Sequence, residues 1–295
     1  MAWYDDDDED AKKEHRIAVE RLTRDLAQAA ATMGAREARF LVDTYYTFQG
    51  NRLRAANQIR AMGKYARDHE KPEEPHVILS WVFDQSKILE SQIKKALDRY
   101  TGAHVMGSWM RQIVGVGPVI SAGILANLET PRPTAGKVYA FAGLAADGQK
   151  EWKPKTKRPY NQRLKTCCWH AGQSFMKFAG RDDCFYGKLY RERKAFEQRM
   201  SDEGKRTEVA AQWVTRVGKQ TEAFKHYSAG HLPPSQIDGR ARRWAVKIFL
   251  SHVNECWNVR LGNKVVAPFA LAHLGHADYI APPIPYLDEE DEAAE

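Results

Sequence analysis

Apolar residues recur at threes and fours along most of this chain, a spacing that predicts helices almost throughout. Residues 11–33 carry Ile17, Leu22, Leu26 and several alanines, and Gly34 marks a break. From Glu37 to about His69 the pattern Leu41, Tyr45, Phe48, Ala55, Ile59, Met62 predicts a long helix, weakest at Gly50 and ended by Pro72 and Pro75. A second long helix is predicted from about Val77 to Tyr100. Its stripe of Leu79, Val82, Ser86, Leu89, Ile93, Ala96 and Tyr100 is close to a heptad. Two long helices around a short proline-containing turn predict an antiparallel coiled hairpin. Such a hairpin serves either as a dimerisation arm or as an arm packed on its own body.

Residues 105–130 are apolar and predict two short helices around the turn Gly115-Val116-Gly117-Pro118. Pro131 and Pro133 close that unit, and Thr134 is placed to cap a helix carrying Val138, Tyr139 and Phe141. A basic loop follows to Tyr160, then a helix over Asn161 to Phe178. Residues 183–226 predict a charged helical stretch interrupted near Gly204 and ended by Pro233-Pro234. Residues 235–259 predict a basic amphipathic helix, with Trp244, Ile248, Val253 and Trp257 on its apolar side and Arg240, Arg242, Arg243 and Lys247 supplying charge. Residues 265–287 are proline-rich and irregular. With no period-2 strands and no repeats, the predicted class is all-α. The predicted division is an acidic tail and N-terminal helix (1–36), a coiled-coil hairpin (37–104), a helical domain (105–287) and a second acidic tail (288–295).

Charge changes the picture. The net charge is +7, from 45 Lys and Arg against 38 Asp and Glu. Residues 1–10 hold six acids and no base, and residues 288–295 hold six acids and no base. The rest therefore sets 45 bases against 26 acids, a surplus of 19. A body that basic concentrates polyanions around it. The tails are either solvated runs that aid solubility or competitors with nucleic acid for the basic surface. No apolar run approaches the ~20 residues of a membrane span. The acidic start is unlike a signal peptide, so a cytoplasmic location is expected. Cys167, Cys168, Cys184 and Cys256 form no Cys-x-x-Cys pair, which fits reduced thiols.

Two segments stand out chemically. Between two helices, Gly115 and Gly117 let backbone N–H groups face outward at a helix N-terminus, a helix-hairpin-helix type of phosphate cradle, or else a plain tight turn. The segment Lys150, Lys153, Lys155, Lys157, Arg158, Arg163 and Lys165 has one acid, Glu151, and interleaves Trp152 and Tyr160 ahead of Asn161. Cations for phosphates and aromatic faces for bases suit single-stranded or bulged RNA. Prolines there limit the entropy lost on binding. Arg191 and the cluster Arg240, Arg242, Arg243 extend that basic surface, or are ordinary solvated charge. His252 with Cys256, and His273 with His276, are too sparse for the three or four converging ligands of a metal site. The acids lack the clustering on a buried strand that a metal-dependent nuclease needs. No catalytic residue, metal or cofactor is expected.

The stretch Trp109-Met110-Arg111-Gln112-Ile113-Val114-Gly115-Val116-Gly117-Pro118, then Phe141-Ala142-Gly143-Leu144, then Asn161-Gln162-Arg163-Leu164-Lys165 resembles the C-terminal domain of bridge-RNA insertion-sequence transposases. It is also similar to the Nop domain of box C/D ribonucleoproteins, shared by the Tas proteins of tandem-interspaced-guide-RNA systems. The resemblance covers roughly residues 37–260. Those transposases begin with a RuvC-like nuclease domain and use a serine shortly after the Ala-Gly-Leu piece. Here helices come first, and Ala145-Ala146-Asp147-Gly148-Gln149-Lys150 holds no serine. The chain therefore looks most like a nuclease-free, Nop-only Tas protein. The resemblance implies a structured guide RNA as partner and target DNA recognised by pairing to that guide, and the hairpin pattern points to a homodimer. The alternatives are a bridge-RNA transposase or recombinase, and a guide-free DNA-binding protein.

Overall fold

A computed structural model of the protein describes residues 22–68, 77–145, 155–264 and 279–284. Within them the chain is all-helical, with eleven helices and no strand. The acidic tails, the turn at Pro72 and Pro75, the segment 146–154, and His273 with His276 lie outside the described residues. The chain divides into two compact units, Met1–Tyr100 and Thr101–Glu295.

In the first unit, α1 (Arg24–Ala31) starts at Thr23, whose hydroxyl accepts from the Leu26 N–H. Helices α2 (Ala35–Asp68) and α3 (Val77–Ala103) follow. All the apolar positions that the sequence assigns to the inner stripes, from Leu41 to Met62 and from Leu79 to Tyr100, are partly or fully buried. Gly50 does not interrupt α2. Arg52 Nε meets Glu90 Oε2 at 2.5 Å, and Gln49 donates to the same carboxylate at 3.2 Å. Burial, and then the Glu90 charge, push the neighbouring Tyr45 hydroxyl up to about 12.

The second unit is built around one helix. After α4 (Val105–Arg111), α5 (Pro118–Leu128), α6 (Ala135–Phe141), α7 (Gln162–Lys177), α8 (Phe185–Asp202), α9 (Thr207–Val214) and α10 (Glu222–Ser228) comes α11 (Pro234–Arg260), which packs on α8, α7, α6 and α4. Sequence periodicity predicts a basic amphipathic helix here, and the structure corrects that for its second half. From Phe249 to Asn258 every residue except Glu255 is buried, so its second half is core on all sides. A helix wrapped by four others needs no polar face. The proline pair is a second correction. Pro233 and Pro234 start α11 instead of ending what precedes it, because a proline at the first helical position forfeits only an N–H that would go unbonded. The charged stretch 183–226 also breaks twice. One break is at Gly204 as predicted, and the other lies between α9 and α10, where Thr221 caps the new helix.

An aromatic nucleus joins α7, α8 and α11. Phe175 stacks on Tyr186 with ring centroids 4.9 Å apart, and Phe249 meets both edge-on. All three are fully buried. Each such pair adds about 0.5–1.5 kcal/mol beyond area burial. Two polar residues buried on α11, His252 and Asn254, are hydrogen-bonded. Asn254 accepts from the Arg132 N–H at 2.7 Å and donates to its carbonyl at 3.0 Å, clamping the Pro131-Arg132-Pro133 loop. His252 lies 2.8 Å from both the Tyr186 hydroxyl and the Ile280 carbonyl. That carbonyl only accepts, so the ring proton sits on Nε2, and Nδ1 accepts from Tyr186. All four cysteines are buried free thiols.

Candidate nucleic-acid interface

The glycine turn comes first in the chain. Gly115 has φ +94, a left-handed value that L side chains rarely adopt. Its carbonyl accepts from Ser174 Oγ at 2.6 Å, and the Val114 carbonyl accepts from the Cys184 thiol at 3.5 Å. The inner side of the turn is thus pinned to the end of α7 and the start of α8. Gly117 is extended and exposed, and caps α5 ahead of Pro118.

The basic segment divides by role. Lys150, Trp152 and Lys153 lie outside the described residues. Lys155 and Lys157 are exposed, as is Arg158, which donates to Gln162. Tyr160 packs over Gly143, whose φ of +67 and missing Cβ admit the ring at 2.7 Å from where that atom would lie. Lys165 Nζ sits 4.5 Å above the same ring. Asn161 is an organiser. Its side chain caps α7 by accepting from the Leu164 N–H at 3.0 Å and donates to the Asn127 carbonyl at 3.4 Å, while its own N–H reaches Phe141 at 2.8 Å. One residue therefore ties the ends of α5 and α6 to the start of α7. Arg163 and Arg191 are exposed on α7 and α8.

The three arginines of α11 part company. Arg240 turns to α8, where its Nε meets the fully buried Glu197 carboxylate at 2.8 Å. Arg193 at 2.6 Å and Arg206 at 3.0 Å complete that cluster. Burial raises the Glu197 pKa, but the hydrogen bond from Arg240 and the three cationic charges outweigh it and hold the carboxyl below its ordinary range. Arg242 pairs with Asp238 at 2.7 Å. Arg243 feels first partial burial, then Arg240 and Arg242, and its guanidinium is held below its ordinary value. That crowding favours an added anion.

Arg242 and Arg243 line a pocket of about 250 Å³ between α7 and α11. From α7 come Lys165, Cys168, Trp169 and Gly172, and from α11 come Gly239, Arg242, Arg243 and Val246, with Leu144 closing one end. Both helices contribute at the spacing i, i+3, i+4, i+7, one face each. At the crossing Gly172 keeps the helices close, since a Cβ there would lie 3.1 Å from Val246 Cγ2. The Cys168 thiol stays neutral, because burial and then the neighbouring Cys167 raise its pKa well above the ordinary value. The lining combines apolar groups with three cations, and no carboxylate lines the cavity. Trp169 leaves 55% of its surface exposed.

Of the sequence-predicted residues, the fold brings Lys165, Arg242 and Arg243 together and sets Tyr160 against Lys165. Ser174, which holds the Gly115 turn, follows Lys165 by nine residues on α7, about 14 Å along the helix axis. Trp169, Gly172 and Gly239 are not among the residues the sequence singles out. The signal was present, since Trp169 stands four residues after Lys165, but the helix partner that makes it a wall is 70 residues further on. Among the described residues no cluster of three metal-ligating side chains occurs, and no helix is long and apolar enough to cross a membrane. No family model, curated protein or solved structure matches the chain.

Proposed function

We propose that this chain is a guide-RNA-binding protein of an RNA-guided, nucleic-acid-targeting ribonucleoprotein. One observation carries the reading: Lys165, Arg243 and the Asp238-paired Arg242 line one cavity with an exposed Trp169. Cations beside an aromatic face are the elements with which proteins hold unpaired RNA. The positive surplus of the body supplies long-range attraction. The protein grips backbone and splayed bases, and the remaining guide bases pair with target DNA. Sequence specificity then resides in the RNA, as the likeness to Nop-only Tas proteins implies.

The first unit supports a dimer in this reading. Arg52 and Glu90 touch, yet each lies 13 to 16 residues from the short link between their helices. A parallel arrangement would separate the linked ends by more than an eight-residue link can span, which supports reading α2 and α3 as an antiparallel hairpin. Phe40, Val77, Ile78 and Trp81 are more than half exposed on it. A second chain would cover them.

The test is retention of RNA. The chain is expressed with its native flanking DNA, purified in high salt, and the bound nucleic acid is sequenced. The expected result is a discrete population of short structured RNAs, lost on charge reversal at Lys155, Lys157 and Arg158 together with Lys165→Glu, at unchanged helical circular dichroism. Equal affinity for random duplex DNA, falling steeply with salt, would replace this reading with a guide-free DNA binder.

A further inference from the structure

We infer that the cavity between α7 and α11 is a seat for a single unstacked nucleobase, with Trp169 as its stacking wall and Lys165, Arg242 and Arg243 holding the phosphates on either side. The inference rests on the RNA-binding reading above and adds which part of the RNA enters the protein and where.

Size comes first. The cavity of about 250 Å³ falls below the ~300–1,000 Å³ typical of sites for drug-sized ligands, which suits one planar ring system. Its shape follows from two glycines. Gly172 brings the helices close, and Gly239 leaves the α11 wall open, where the nearest atom to an added Cβ would be the Arg243 guanidinium at 3.4 Å. The lining offers the chemistry of a nucleotide's parts. Val246 and the neutral Cys168 thiol are apolar, the indole gives a flat face for a base, and the cations suit a sugar-phosphate. An acidic peptide would use the cations but would leave the indole and the apolar lining without a counterpart. An exposed indole beside three cations matches base stacking combined with phosphate contact.

The experiment uses the full chain and a 12-nucleotide oligouridine carrying one 5-iodouridine, which crosslinks to stacked aromatic side chains under ultraviolet light. Peptide mass spectrometry is expected to place the crosslink at Trp169. Trp169→Ala is expected to abolish that crosslink and weaken binding about tenfold, and Trp169→Phe to restore most of the affinity. Gly239→Met fills the cavity from the α11 side and leaves Trp169 itself unaltered. It is expected to remove the crosslink and weaken binding similarly, while Trp169 and the cations remain. The same oligomer with an abasic position in place of the iodouridine should bind wild type about as weakly as the intact oligomer binds Gly239→Met.

The Trp169 side chain is exposed, so its variants are expected to keep wild-type helicity. A crosslink at another aromatic, with affinity unmoved by Trp169→Ala and Gly239→Met, overturns the pocket and leaves RNA binding standing. Wild type that binds neither oligouridine nor its native RNA overturns both.

Discussion

Glu197 anchors the best-defined electrostatic cluster of the fold, and replacing it with glutamine tests whether that cluster is structural. The carboxylate is fully buried, while Arg193, Arg206 and Arg240 keep 27%, 18% and 28% of their side chains exposed. Glu197→Gln removes the negative charge and turns an NH2 donor toward guanidiniums that can only donate. Breaking a buried pair from one side costs about 3–5 kcal/mol. The arginines can rotate partly into water, so the low end applies, about 3 kcal/mol. The unit is 195 residues long, and at that size 1 kcal/mol moves Tm by about 2–4 °C, so a drop of about 9 °C is expected. Urea and thermal unfolding followed at 222 nm measure it. A double-mutant cycle with Arg206→Gln should return a coupling of about 1–2 kcal/mol. The Glu197 carboxyl is held below its unfolded value of 4.5, so its contribution is present above that pH and lost as pH falls through the folded value. The variant should therefore lose part of the acid limb of the stability profile. A loss under 1 kcal/mol with no coupling would refute the picture of a buried hub, and Arg240 would then be available to an RNA.

Three further outcomes are expected. Burial lowers His252 from 6.5 to about 4, so the unfolded chain takes up a proton between those values that the folded chain refuses. Stability should fall by about 3 kcal/mol as pH drops from 7 to 4, and the gap in urea midpoint between wild type and His252→Gln should shrink along the way. His104 and His170, also lowered by burial, act in the same direction. Gly107→Ala should destabilise by about 2 kcal/mol or more in a thermal melt, because its Cβ would lie 2.1 Å from the Thr101 carbonyl oxygen, whereas Gly50→Ala, with nothing within 4 Å, should stabilise by about 0.5–1 kcal/mol. The proposed dimer should sediment as a monomer when Phe40 and Trp81 are both replaced by lysine, with helical content unchanged. Identical sedimentation of wild type and variant would place any self-association elsewhere.

The helices and many of their ends were determined by local rules. An i, i+3, i+4 stripe is a property of neighbours in the chain, so the inner faces of α2 and α3 could be read from Leu41 to Tyr100 without a structure. Caps are equally local, and Thr134 and Asn161 sit where their side chains satisfy first-turn N–H groups. The glycine turn at Gly115 was legible for the same reason. The proline pair at Pro233 misled because proline is compatible with both the end of one helix and the start of the next. Only tertiary structure decided the rest. The position of α11 at the centre of the second unit depends on four other helices, and no pattern within α11 reports them. The three arginines read alike in sequence, yet a carboxylate 43 residues earlier takes Arg240, Arg242 pairs with Asp238 on its own helix, and Arg242 and Arg243 line a cavity with Lys165 and Trp169 across the α7–α11 crossing. Local spacing assigns residues to a face of their own helix. Which face meets which is set by packing between distant segments, and there the candidate site takes shape.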